Sequence, residues 1–88
     1  MEELLRSRTV VVRYAHAIDA LDRVASVLRR QRVRADAFTA VAAPDGATAQ
    51  ATIMFESTDR TADRIVALLG RQVGVLAVEE WRDDDSRR

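Results

Sequence analysis

Hydrophobic and polar positions change their period several times along the chain, and each change marks an element. Thr9-Val-Val-Val-Arg-Tyr14 is a β-branched run bounded by polar residues, which predicts a strand. Over Ala17–Gln31 the spacing lengthens. Leu21, Val24, Ala25 and Leu28 fall at i, i+3, i+4 and i+7, one stripe of a helix. Asp19, Asp22, Arg23, Arg29 and Arg30 lie off that stripe; acid early and arginine late complement the helix dipole. Val33–Ala43 alternates, with Val33, Ala35, Ala37, Thr39 and Val41 on one face and Arg34, Asp36 and Phe38 on the other. In Ala47–Glu56, Ala51, Ile53 and Phe55 alternate with Thr52, Met54 and Glu56, a half-buried strand. Asp59–Arg71 returns to helical spacing through Ala62, Ile65, Val66 and Leu69, and Val73–Trp81 reads as a last strand.

Punctuation between the elements agrees with this division. Pro44-Asp45-Gly46 predicts a tight reversal, because proline presets φ and glycine accepts positive φ. Ser57, Thr58 or Asp59 caps the second helix, and Gly70 helps to end it. Residues 1–7 read as a flexible lead-in, 8–82 as one domain and 83–88 as a polar tail opened by Asp83, Asp84 and Asp85. The order is βαββαβ, two strand–helix–strand halves joined by a hairpin. With right-handed crossovers this gives an α+β, ferredoxin-like sandwich: a four-stranded antiparallel sheet with both helices on one face. The other face and the edges are left bare, so the chain is expected to assemble. Met54 and Phe38 are placed on that bare face, as an apolar patch that invites docking.

Composition narrows the function. Eighty-eight residues make one small domain. It buries only ~60–65% of the surface its unfolded form exposes, so a partner subunit would add stability. Fourteen basic and fourteen acidic residues cancel, which gives no general pull toward nucleic acid or anionic membrane. All the basic residues are arginine, which excludes lysine Schiff-base chemistry, and with no cysteine there is no thiolate, disulfide or cysteine metal site. No apolar run approaches the ~20 residues of a membrane span. The opening MEELLRSR is not a secretion signal, and the expected location is the cytoplasm.

No catalytic constellation emerges. His16, the single histidine, has no serine or carboxylate pairing that makes a triad, and one histidine is too few ligands for a metal; a structural or solvated role is expected. An acylphosphatase-like hydrolase would need an asparagine to position water, and the chain has none. An RNA-binding sheet would need aromatics on its central strands. Only Tyr14 and Phe55 lie there, and Phe55 shares the face of Ile53. Arg29, Arg30, Arg32 and Arg34 form a basic cluster that reads as a solvated helix end, a docking surface or a nucleic-acid contact. Trp81 is either an interface anchor or the edge of the core.

Leu21-Asp-Arg-Val-Ala-Ser-Val-Leu-Arg-Arg-Gln-Arg-Val33 resembles the first helix of the ACT domain in acetolactate (acetohydroxyacid) synthase small subunits. That family shows Leu-x-Arg-Val-x-x-Leu-Phe-x-Arg-Arg-Gly-Phe there, and Leu21, Arg23, Val24, Arg29 and Arg30 match in register. Thr52, Ile53 and Glu56 resemble its third strand, Asp59, Arg60, Ile65 and Leu69 its second helix, and Val73, Val75 and Val78 its closing Val-x-Val-x-x-Val. The resemblance covers roughly Val10 to Trp81. It implies a non-catalytic regulatory subunit of the short, single-domain type, without a cofactor of its own. Its partners would be a second copy and the thiamin-diphosphate-dependent catalytic subunit of branched-chain amino-acid synthesis. Arg29, Arg30, Phe38, Met54 and Trp81 are the expected partner-binding residues. A stand-alone ACT homodimer that senses an amino acid or other small molecule is the alternative.

The chain departs from the family where amino-acid effectors bind. The family's Asn-x-Pro-Gly between first strand and first helix is His16-Ala-Ile-Asp19 here, and its Gly-Phe-Asn after the helix is Arg32-Val33-Arg34. Glycine there lets backbone N–H groups approach a carboxylate at a helix N-terminus. Asp19 instead brings a Cβ and a like charge. His16, Ile18, Asp19 and Arg34 are therefore expected to be non-functional equivalents of that loop.

Overall fold

The computed structural model describes residues 4–81. Its elements run β1 (Arg6–Ala15), α1 (Ala20–Arg30), β2 (Ala35–Ala42), β3 (Thr48–Ser57), α2 (Asp59–Gly70) and β4 (Val75–Trp81). The strands form one antiparallel sheet in the order β2-β3-β1-β4. The ferredoxin-like sandwich expected from the element order is the fold observed. Arg82 and the expected tail lie outside the described residues.

Period two builds the core. Val10, Val12 and Tyr14 of β1 stand opposite Ile53, Ala51 and Ala49 of β3, and all six are buried under the helices. Val24, Val27 and Leu28 of α1 and Ile65 and Leu69 of α2 complete the layer. Burying one such Ile, Leu or Phe side chain is worth about 1.5–3 kcal/mol, so these few residues carry most of the fold.

Four expectations are corrected. Strand β1 starts at Arg6 rather than Thr9, because the alternation extends back to a buried Arg8; the expected lead-in thus already contains strand. The buried stripe of α1 is Ala20, Val24, Val27 and Leu28, and Leu21 is 39% exposed at its first turn. The helix begins at Ala20, and its sheet-facing side is centred on Val24, Val27 and Leu28. Gly70 ends α2 in ordinary helical conformation, while the positive φ of 90° belongs to Gly74 in the α2–β4 connection.

The fourth correction concerns β2. Ala35 faces Phe55, but Ala37 faces Met54, so Asp36 is an extra residue in a β-bulge. Every residue after it changes face. Phe38, Ala40 and Ala42 stand opposite the helix-facing Ile53, Ala51 and Ala49, whereas Ala37, Thr39 and Val41 join the bare face. Phe38 is therefore at the edge of the helix side, not on the helix-free face.

The connections satisfy their backbone groups locally. Gly46 takes φ 72° and donates to the Ala43 carbonyl at 2.9 Å, closing the Pro44-Asp45-Gly46 turn as expected. The Thr58 hydroxyl accepts from the Thr61 N–H at 3.2 Å, which caps α2. Helix α1 ends with the Val33 N–H on the Leu28 carbonyl and the Arg32 N–H on the Arg29 carbonyl, a Schellman closure. Its left-handed position is filled by Arg32 at φ 59°.

Candidate functional site

The loop from β1 into α1 forms one wall of a groove of ≈ 580 Å³. Tyr14 closes the floor, and His16, Ala17, Ile18 and Leu21 form the loop side. Ala40, Val41 and Ala42 of β2 form the opposite side. Strand β1 delivers Tyr14 to the floor because its helix-facing alternation ends there. The backbone then breaks away: Ala15 donates to the Gly74 carbonyl and His16 to the Ala47 carbonyl, at 2.8 and 3.0 Å. These two N–H groups are thus engaged and unavailable to a ligand. The lining is largely apolar, and Ile18 is fully exposed at the rim.

Asp19 occupies the N-cap of α1 with φ −104°, yet its side chain makes no capping bond. Its Oδ2 accepts from the Arg23 guanidinium at 2.9 Å, one turn on. Both partners are more than a third exposed, so this i,i+4 pair adds at most a few tenths of a kcal/mol. Its effect is local: the carboxylate sits at the helix start, where a ligand anion would otherwise be favoured. Three of the four expected loop equivalents, His16, Ile18 and Asp19, gather here. Arg34 does not; it follows the far end of α1, an eleven-residue helix of about 16 Å.

The expected partner-binding residues divide among three surfaces. Arg29 and Arg30 are exposed in the last turn of α1, on the outside of the helix layer, where Arg29 donates to Ser26 Oγ at 3.1 Å. Phe38 lies at the β2 edge. Met54 and Trp81 share the bare face: both stand opposite Thr9, so Ala37, Met54, Thr9 and Trp81 form one row across the sheet. Met54 is 45% and Trp81 57% exposed. The next two rows are Thr39, Thr52, Val11, Glu79 and Val41, Gln50, Arg13, Ala77. The bare face is thus apolar at the Trp81 end and mixed beyond it.

Arg8 was not singled out from the sequence. It is buried at 2% exposure, and its guanidinium pairs with Asp59 at the start of α2 and with Glu80 of β4, the latter at 3.2 Å. Its period-two spacing to Val10 was the available signal, and the charge masked it. Arg8 is a structural clamp rather than a ligand group. Among the described residues no three His, Asp or Glu side chains gather as a metal site, and no helix is long and apolar enough to cross a membrane.

No protein-family model and no curated protein sequence matches the chain. Solved structures do match in shape. The ACT domain of a GTP pyrophosphokinase from Chlorobium tepidum superposes with a TM-score of 0.77 at 11% identity, covering 89% of this chain and all of that one. The acetolactate synthase small subunit of Thermotoga maritima gives 0.76 at 19% identity, over 85% of this chain and 47% of that one. The C-terminal domain of the MgtC protein of Mycobacterium tuberculosis gives 0.72 at 22% identity, over 92% and 90%. The chain has the ACT variant of the ferredoxin-like fold.

Proposed function

We propose that the chain is a non-catalytic regulatory or scaffolding subunit that acts by protein–protein association. The partner is a thiamin-diphosphate-dependent acetolactate synthase catalytic subunit. The observation that carries this reading is an ACT fold whose bare sheet face offers Met54 and Trp81 in one row, half exposed, with no element of the described residues above them. The register of Leu21, Arg23, Val24, Arg29 and Arg30 with small-subunit helices supports it, as does the shape of the Thermotoga maritima small subunit. A regulator of this kind works by binding the active conformation of its partner more tightly than the inactive one. Binding at the bare face would bury the Trp81 indole and the Met54 thioether as central anchors.

Co-expression with the catalytic subunit tests the proposal. The two chains are expected to co-purify, with a changed synthase rate, and Trp81→Ala or Met54→Asp is expected to weaken the complex at least tenfold. No co-purification together with an unchanged rate sinks it.

The groove beside the β1–α1 loop favours a second reading, an ACT homodimer that senses a small molecule. Asp19 and the engaged Ala15 and His16 amides argue against an amino acid held by its carboxylate. A rise in melting temperature with an amino acid would favour the sensor.

A further inference from the structure

Four arginines crowd the corner where α1 runs into β2. Arg29 and Arg30 end the helix, Arg32 holds the turn and Arg34 leads into the strand, and all four are exposed. Among the described residues no carboxylate pairs with any of them; the one side-chain bond they make is from Arg29 to the Ser26 hydroxyl, at 3.1 Å. Arg8 and Arg23, by contrast, are held in ion pairs. The chain is neutral as a whole, so this corner is a local excess of positive charge and not a sample of a general one.

The helix dipole accounts for half of the cluster. Cations in the last turn of a helix meet the partial negative charge of its carbonyls, which suits Arg29 and Arg30. Arg32 and Arg34 lie past the helix end, where the Schellman closure already satisfies carbonyls of the last turn. Arg32 is also the only residue other than glycine with positive φ among the described residues. The backbone gives no reason for arginine there, since glycine takes that conformation without a Cβ clash. A strained position filled by a long, exposed, unpaired cation points to a use for the side chain and not for the fold.

We propose that this corner docks an acidic, extended segment of a protein partner. A guanidinium donates through two N–H groups to one carboxylate, so this cluster matches a short run of Asp or Glu side chains. A single-stranded nucleic acid fits less well, because such strands are held by aromatic platforms beside the cations, and residues 29–34 contain no aromatic. The neutral chain also lacks the broad basic track that a polyanion follows. Docking here would steer and orient the partner as it arrives. The corner lies at the other end of α1 from the β1–α1 groove. It is also separate from the Met54–Trp81 row, so the inference goes beyond the reading of the bare face and does not depend on it.

Labelled hexaglutamate is titrated with the whole chain at low ionic strength and followed by fluorescence anisotropy, with hexathymidylate as the nucleic-acid arm. Saturable binding of hexaglutamate is expected, weakening as salt is added. Arg30→Gln and Arg34→Gln are each expected to weaken it about threefold, and the two together about tenfold. Arg71→Gln, which removes an exposed cation at the close of α2, is expected to leave it unchanged. Arg32→Gly carries the sharpest expectation: affinity falls about threefold while the denaturant midpoint rises, a split that a purely structural role for Arg32 would not produce. No saturable binding at low salt, tighter binding of hexathymidylate, or an Arg32→Gly chain that binds like the wild type overturns the proposal. A chain that binds hexaglutamate as expected but fails to co-purify with the synthase subunit would overturn only the bare-face reading.

Discussion

Single residues carry two of the sharpest energetic statements. Arg32 holds the left-handed position after α1, where a side chain other than glycine costs roughly 1–2 kcal/mol. Glycine returns about 0.5–1 kcal/mol of that through the entropy of the unfolded chain. Arg32→Gly is thus expected to stabilise the fold by about 0.5–1 kcal/mol, read as a raised denaturant midpoint at constant slope. Arg8 is the opposite case. Arg8→Met leaves the Glu80 carboxylate, at 12% side-chain exposure, without its buried cation. The expected loss is about 2–4 kcal/mol, below the upper range for a broken buried pair because Asp59 stays more than half exposed. Adding Glu80→Leu is expected to recover most of it, since a buried ion pair replaced whole is often neutral. If the single variant melts like the wild type, the clamp has no energetic role.

At the scale of elements, alternation and helical spacing made all six elements legible, and Pro44-Asp45-Gly46 and Thr58 behaved as their chemistry dictates. The details that escaped depend on where an element starts and on how its register runs, which periodicity alone does not see. Asp36 inserts one residue into β2 and so exchanges the faces of Phe38 and Val41. Helix α1 starts only at Ala20, and Leu21 in its first turn lies in the groove wall and not in the core. Gly70 looked like a helix stop because it lies near an end, but its backbone is helical and a Cβ there meets nothing within 4 Å. Gly70→Ala is therefore expected to stabilise α2 by about 0.5–1 kcal/mol in thermal unfolding. Thr58→Ala is expected to cost about 1 kcal/mol through the lost cap. Deleting Asp36 should restore unbroken pairing with β3 and leave amide-exchange protection of Ile53 and Phe55 intact; lost protection would mean that the bulge is required.

At the scale of the molecule, the candidate site was legible only in part. The sequence pointed to the β1–α1 loop, and His16, Ile18 and Asp19 do meet there. It could not supply the opposite wall, because Ala40, Val41 and Ala42 are brought to the loop by sheet order and not by any local pattern. The Asp19 carboxylate at the N-cap predicts that calorimetric titration with valine, leucine or isoleucine shows no saturable micromolar binding. Asp19→Gly, which frees the helix start, is the variant in which such binding would first emerge. Saturable binding to the wild type would show that the loop still serves as a receptor for amino acids.

The sheet order has a consequence for synthesis. Strand β1 emerges from the ribosome first but belongs between β3 and β4, the last two strands made. Its Val10-Val11-Val12 run can pair on one edge once β3 is made, but its other edge stays open until β4 follows, Arg8 and Glu80 being 72 positions apart. Closing so distant a contact is slow by nature. A nascent chain stalled before β4 would present one open edge of a hydrophobic strand, an adhesive template for a neighbouring chain.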